Sequence, residues 1–266
     1  VFGASGFTGQ LIVKYLSNHN EVAKLKWAVA GRNEFKLKKL YKSVDILLVD
    51  SFNMESINSM CQKANLIITT VGPYNLYGAN LVKSCITNST HYLDLTGEPS
   101  FVNKIVEQYS NNAIESIIIN CCGLESVIPD LGTYITVKKM SSNNKQVTYY
   151  LKSKGQISGG TWASFLDAIN NRNKTKNLPT QKKSKKIFYN KYLKSWALIF
   201  PVIDKDIVIR TSKQFNIYKN FNFNQYILIK SLNNVIKLLL SIIFIKILSK
   251  FKFTKTWLLS FIPSGS

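Results

Sequence analysis

The sequence predicts an α/β fold, a Rossmann-type doubly wound parallel sheet followed by a second mixed α/β domain. Three observations carry this. Val1-Phe2 runs into glycines at Gly3, Gly6 and Gly9 and then into an apolar helical pattern at Leu11, Ile12, Tyr15 and Leu16. Short aliphatic or β-branched runs then recur, separated by helical-length segments, to about residue 133, as a buried parallel sheet flanked by helices requires. Beyond that point the regular alternation stops and the chain becomes strongly basic.

In the first turn, Gly3 permits the tight bend, Gly6 lets backbone approach a pyrophosphate, and Gly9 lets helix pack closely on strand. Only two residues precede Gly3, so the first strand is expected to be cut short. Lys26–Arg32 reads as the second strand, Val44–Asp50 as the third, and Asn65–Tyr74 as the fourth, stopped by Gly72-Pro73. A helix from about Gly78 to Thr87, a strand His91–Thr96, a helix from Phe101 to Ser110 and a sixth strand Ser116–Gly123 follow. These complete a dinucleotide-binding domain over 1–133, with the second domain over 134–266. There, Val147–Leu151 predicts a strand, Ser158–Thr161 opens a helix to about Ile169, and Asn170–Lys186 is a polar, lysine-rich loop. The β-branched run within Ile207–Phe215 suggests a further strand, and the ending Phe261–Ser266 closes no element, so truncation is expected there too.

The formal net charge of +21 is unevenly spread: residues 1–150 carry 14 basic and 11 acidic side chains, residues 151–266 carry 21 and 3. Such asymmetry suits an anionic partner, although lysine and asparagine are abundant throughout and compositional bias is the competing explanation. The lysine-rich stretch lacks interleaved stacking aromatics, which argues against nucleic acid. Within a basic, apolar segment of about 227–262, Val235–Leu248 is the most apolar part, yet Lys237 and Lys246 leave an uncharged centre of only eight residues. That is too short to cross a bilayer. Lysines mixed with Trp257, Phe261 and aliphatic residues suit a helix or hairpin lying in a membrane interface, with a buried core helix as the alternative. Cys61, Cys85, Cys121 and Cys122 lack metal-ligand spacing and read as reduced, buried thiols of a protein facing the cytosol; with only His19 and His91 besides, no metal site is expected.

A domain selecting NAD usually ends its second strand in an acid that accepts from the ribose 2′-hydroxyl. Here Gly31-Arg32-Asn33 stands at that place. Arg32 offers a planar donor fork to a 2′-phosphate, which favours NADP(H) over NAD(H). The expected cofactor-binding residues are Gly3, Ala4, Ser5, Gly6, Phe7, Thr8 and Gly9 at the pyrophosphate, and Arg32 at the 2′-phosphate. Asp50 stands at the adenine edge or caps a helix; Gly72, Pro73 and Tyr74 lie beside the nicotinamide. Glu98 either orients substrate or sits in a helix's first turn, favouring its dipole. Candidates for proton transfer are Ser126, Asp130 and Tyr74, although Ser126–Asp130 also spells an ordinary helix start. Tyr134 and Lys138 match the Tyr-x-x-x-Lys of short-chain dehydrogenases, but after the sixth strand, where that chemistry does not sit.

Several stretches together resemble the saccharopine dehydrogenase-like oxidoreductase family, which includes bacterial trans-acting enoyl reductases. They are Gly3–Gly9, Ala30-Gly31-Arg32, Val71–Tyr74 with Tyr77-Gly78, Tyr92–Glu98, Cys122-Gly123 with Ser126 and Pro129–Gly132, and Gly160-Thr161-Trp162. Leu124-Glu125 departs from the family's aromatic-Asp pair. The resemblance implies a Rossmann domain with a mixed α/β second domain, and association with lipid droplets or membranes. For the bacterial relatives it implies reduction of lipid intermediates; it does not imply saccharopine cleavage. Two readings result: an NADP(H)-dependent oxidoreductase acting on a lipophilic substrate at a membrane or lipid-droplet surface, or a non-catalytic lipid-surface protein that keeps the fold alone or keeps cofactor binding as a sensor.

Overall fold

Phe2 is the residue on which the first sheet closes. Its N–H donates to the Ile68 carbonyl at 2.8 Å, and its own carbonyl accepts from Thr70 N at 2.9 Å. It bridges Ala30 on one side and Thr69 on the other, both in parallel. In the computed structural model, residues 1–110, 115–142, 144–154, 159, 161–162, 165–166, 184–200, 202–215 and 221–262 are described. Strand β1 (Ala28–Gly31) pairs in parallel with β2 (Asp45–Leu48), β3 (Leu66–Thr69) with β4 (His91–Asp94), and β4 with β5 (Ile118–Ile119). Phe2 joins the two halves, so the order across the sheet is β2, β1, Phe2, β3, β4, β5. The order reverses at Phe2, which makes the end of that short strand the crevice where an open α/β sheet binds ligands.

The helices of this sheet are α1 (Phe7–Ser17), α2 (Glu34–Leu40), α3 (Met54–Gln62), α4 (Tyr74–Thr87) and α5 (Pro99–Tyr109). Asn33 and Asn53 cap α2 and α3, accepting from Lys36 N at 2.8 Å and Ser56 N at 3.0 Å. The helices α4 and α5 begin earlier than their apolar patterns suggest. Pro73 sits at the N-cap of α4 and Pro99 opens α5, positions where the missing N–H costs nothing. Phe101 of α5 is buried against α4, where Gly78 leaves it room: a Cβ at Gly78 would lie 2.6 Å from the ring. All four cysteines are free thiols, and buried Cys61 and Cys85 meet at 3.7 Å between α3 and α4.

Strand β5 is only two residues long, and a carboxylate holds the segment beyond it. Asp94, fully buried at the end of β4, accepts from Tyr92 Oη at 2.8 Å, Thr96 N at 3.0 Å, Cys121 N at 2.9 Å and Asn120 Nδ2. Cys121 takes a left-handed backbone (φ 62°), unusual without glycine, and the Asp94 bond fixes it there. Burial raises the Asp94 carboxyl above its ordinary range, and these four hydrogen bonds oppose that shift.

The backbone divides into two compact units, one of Val1–Cys122 with 157–172 and 256–266, the other of Gly123–Gln156 with 173–255. Helix α6 (Leu124–Lys138), which crosses position 133, therefore belongs to the second unit. That unit has a mixed sheet ordered β6 (Lys145–Leu151), β9 (Phe221–Ile229), β8 (Ser195–Ile199), β7 (Ile187–Asn190). Strands β6 and β9 run parallel; β8 is antiparallel to both β9 and β7. The strand suggested within Ile207–Phe215 is instead helix α7 (Asp204–Gln214). Asp204 and Asp206 favour its N-terminal dipole, and Asp204, Val208 and Ile209 form one buried face at helical spacing, which the β-branched run disguised. Helices α8 (Leu232–Leu248) and α9 (Lys252–Ser260) end the described chain. In the helix expected from Ser158 to Ile169, residues 159, 161–162 and 165–166 are helical; its other positions, and 170–183 of the polar loop, lie outside the described residues.

Replacing Asp94 by Ala leaves three buried donors and the half-buried Asn120 amide without their acceptor and is expected to destabilise the fold by about 3 kcal/mol, read as a lower denaturant midpoint, with Asp94→Asn losing less.

Candidate dinucleotide site

The turn after Phe2 is shaped by two close approaches. Gly3 has φ +85°, and a Cβ there would lie 2.6 Å from Thr70 Oγ1 and 2.9 Å from Val71 Cγ2. A Cβ at Gly9 would collide with the Gly3 carbonyl oxygen and stand 2.8 Å from Ala4 Cα, so only glycine lets α1 start against the turn. Two side chains tie the loop down: Tyr41 Oη donates to Ala4 O at 2.6 Å, and Thr70 Oγ1 donates to Gly3 O at 3.2 Å. Helix α1 begins after Gly6 with no side-chain cap and no acid in its first turn. Phe7 and Thr8 are exposed there. The first-turn N–H groups have no carbonyl one turn earlier to accept them, and they form the positive end of the helix dipole. At Gly6 a Cβ would meet only Gly3 O, at 3.4 Å, so the ground above the turn is open. This donor set and this space fit a pyrophosphate.

Arg32 directly follows β1 and is exposed, beside Asn33, which caps α2. The acid nearest in sequence, Glu34, pairs with Lys38 at 2.6 Å. This strand end therefore offers an exposed guanidinium and no carboxylate at the position an NAD site would use. Asp50 shapes its own turn: its Oδ1 accepts from Phe52 N at 3.0 Å, and its N–H donates to Ser56 Oγ at 3.2 Å, just ahead of α3.

At the end of β3 the Gly72-Pro73 bond is cis. Glu98, 1% exposed, accepts from Tyr74 N at 2.9 Å and Asn75 N at 2.8 Å, one backbone donor on each carboxylate oxygen. Of the two readings offered by the sequence, the helix-dipole one is close, but the helix is α4 and not α5, which Glu98 itself precedes. Tyr74 is buried; its hydroxyl donates to Thr69 O at 3.2 Å and accepts from Leu95 N at 3.3 Å, and its ring lies 5.9 Å from that of Phe101. The phenol thus ties β3 to the segment after β4. Tyr77 makes an edge contact with Phe52 at 5.1 Å.

Ser126 and Asp130 lie in the second unit, apart in the chain from the turn that carries Tyr74. Helix α6 starts at Leu124, so Ser126 and Asp130 are inside it, with Pro129 between them, and do not form its start. Ser126 Oγ donates to Asp204 Oδ1 at 2.8 Å, and Gln225 Nε2 donates to Asp204 Oδ2 at 2.7 Å. Ser126 and Asp204 are both buried. Thr211 Oγ1 donates to Asp130 Oδ2 at 2.9 Å. These bonds join α6, α7 and β9. Burial raises the Asp204 and Asp130 carboxyls above their ordinary range, with the hydrogen bonds opposing it. Tyr134 is also on α6, its ring 6.1 Å from Phe215, and Lys138 ends the same helix. Asp94, Glu98, Tyr41 and Thr70 are the structural residues that sequence reasoning missed or misassigned; each acts on a backbone group distant in sequence, which no local pattern records.

Residues 1–152 match the family described as the saccharopine dehydrogenase NADP-binding domain. The chain belongs to that family. Its matched domain is an NADP-binding one, and NADP(H) is the cofactor it accommodates. A saccharopine dehydrogenase-like oxidoreductase of Bos taurus is 30% identical over 98% of this chain and 72% of its own length. A lipid droplet localized protein of Caenorhabditis elegans is 32% identical over 62% of this chain, which there spans 43% of the relative's length. Among solved structures, apo saccharopine dehydrogenase (L-Glu forming) from Saccharomyces cerevisiae aligns with a TM-score of 0.53 at 16% identity, covering 85% of this chain and 54% of that one. That likeness establishes the α/β fold.

Arg32→Glu is expected to weaken NADPH binding by about tenfold or more while leaving NADH less affected, as loss of a charge-assisted bond to phosphate implies; tryptophan quenching by the two cofactors measures it. A second expectation concerns pH. Because the folded Asp204 carboxyl holds its proton to a higher pH than the unfolded one, stability falls as pH rises from about 4 through its elevated titration. Asp204→Asn flattens that slope in denaturant midpoints taken across pH.

Proposed function

We propose that this protein is an NADP(H)-dependent oxidoreductase of a lipophilic small-molecule substrate, working peripherally at a membrane or lipid-droplet surface on its cytosolic face. The observation that carries the cofactor half is the turn in which Gly3 and Gly9 bring the uncapped start of α1 beside Phe2, with Arg32 exposed at the end of β1. The lipid half is supported by the nematode relative's name and by the basic, apolar C-terminal segment. Free, mostly buried thiols suit a reducing compartment.

NADP(H), when bound, supplies or accepts the hydride. The chain's own residues bind and orient. Backbone N–H groups of the first turn of α1 hold the pyrophosphate, with Gly3 to Gly9 as the cradle. Arg32 holds the 2′-phosphate, and Asp50 keeps the turn at the adenine edge in shape. Gly72, Pro73 and Tyr74 form the wall beside the nicotinamide, and Glu98 fixes that wall by holding the N–H groups of Tyr74 and Asn75. Hydride transfer needs this orientation more than it needs an acid.

One observation favours a second reading, a non-catalytic lipid-surface protein that senses the cofactor. Tyr74, Ser126 and Asp130 are all engaged in bonds that hold the fold together. Calorimetric titration with NADPH and NADH is expected to show saturable NADPH binding at least about tenfold tighter than NADH, and binding of neither removes the enzyme and the cofactor sensor alike, leaving a lipid-surface protein that keeps only the fold. With NADPH bound, oxidation at 340 nm (its absorption band) on adding an acyl or enoyl lipid supports the enzyme; its absence across such lipids supports the sensor.

A further inference from the structure

Helix α8 is apolar on both its faces. Val235 is buried, and the helix packs its inner side on β8 and β9. On the opposite side Leu240, Ile243, Phe244 and Ile247 stand at i, i+3, i+4 and i+7, between 53% and 62% exposed. Past the helix end, Phe251 and Phe253 are 63% and 85% exposed as well. Large apolar residues scattered singly on a surface need no explanation, but a contiguous stripe does.

Its charge setting narrows the occupant. From Ile207 to Ser266 the chain carries nine basic residues and no acidic one. Lys237, Lys246 and Lys250 are exposed on or just beyond α8. Long lysine stems can lie along an apolar surface while their ammonium groups reach phosphates at its edge. A second copy of this chain would bring the same lysines face to face, which disfavours self-association. Among the described residues no helix is long and apolar enough to cross a membrane. A helix with one face on its own sheet and the other apolar, rimmed by lysine, lies along an interface and does not span it.

We propose that the outer face of α8 docks on a phospholipid surface carrying anionic headgroups, the apolar stripe entering the acyl boundary and Lys237 and Lys250, at its edges, contacting the headgroups. The proposal deepens the surface half of the function given above and rests on it, but is independent of the cofactor half.

The test is co-sedimentation of the full chain with phosphatidylcholine vesicles, with and without phosphatidylserine. The wild type is expected to bind vesicles with phosphatidylserine, each Lys→Gln change at 237 or 250 to cost about fivefold at low salt, and Leu240→Asp with Phe244→Asp to cost about a hundredfold. Phe244→Ser, gentler on the fold, is expected to cost about tenfold. NADPH binding, read on the same samples, should be unchanged in every variant and reports the fold of the first unit, and an unchanged far-ultraviolet circular dichroism spectrum reports that of the second, which carries α8. Equal binding to both vesicle types, wild-type levels in the double variant, or no wild-type binding at all would overturn the proposal. So would a dimer in lipid-free solution that Leu240→Asp dissolves, since the face would then belong to a second copy. Failure of NADPH binding in a chain that still docks would remove the oxidoreductase reading and leave the docking face standing.

Discussion

Everything in the first unit depends on how closely α1 approaches the turn that precedes it. A helix can present its first N–H groups to a phosphate only if no side chain stands in the way, and its axis must point into the crevice where the sheet order reverses. Phe2 sets that crevice by bridging β1 and β3. The missing Cβ at Gly9 then lets α1 begin against the carbonyl of Gly3, and the positive φ of Gly3 turns the chain toward it. Tyr41 and Thr70 supply hydroxyls to the same loop, so it is held from two neighbouring parts of the sheet.

Buried carboxylates organise the rest. Asp94 gathers the ends of β4 and β5, Glu98 gathers the start of α4, and Asp204 gathers α6 and β9 around the start of α7. In each case the acid is enclosed and accepts bonds from groups far away in sequence. Where its partners are backbone N–H groups, as with Asp94 and Glu98, the carboxylate replaces carbonyls that a turn or helix start cannot provide. The cost of enclosing the charge appears at Asp94 and Asp204 as carboxyls raised above their ordinary range. Acids used in this way are committed to architecture. Ser126, which looked like a site residue, belongs to one of these hubs.

The second unit resolves the double nature of its most apolar segment. Membrane-interface helix and core helix stood as alternatives because apolar content alone does not say which side faces protein. In α8 the buried Val235 and the exposed Leu240, Ile243, Phe244 and Ile247 divide the helix into a side that packs on the sheet and a side that does not. The same unit shows a limit of reading β-branched runs: Ile207, Val208 and Ile209 are in a helix because burying Asp204, Val208 and Ile209 on one face, with acids at its N-terminus, outweighs their strand preference.

By itself the sequence determined the parallel sheet, the glycine turn and Arg32 at the end of the second strand. Each is a local pattern whose physics involves residues adjacent in the chain: a bend needs glycine, a buried strand needs an aliphatic run, and a phosphate end needs a cation where an acid would repel it. Only the tertiary structure decided what the polar residues do. Glu98 lies 24 residues from Tyr74 and Ser126 lies 78 from Asp204, and a hydrogen bond across such a span leaves no spacing to read. It decided, too, which face of α8 is covered, because burial depends on the sheet that happens to lie beneath and not on the helix's own hydrophobicity.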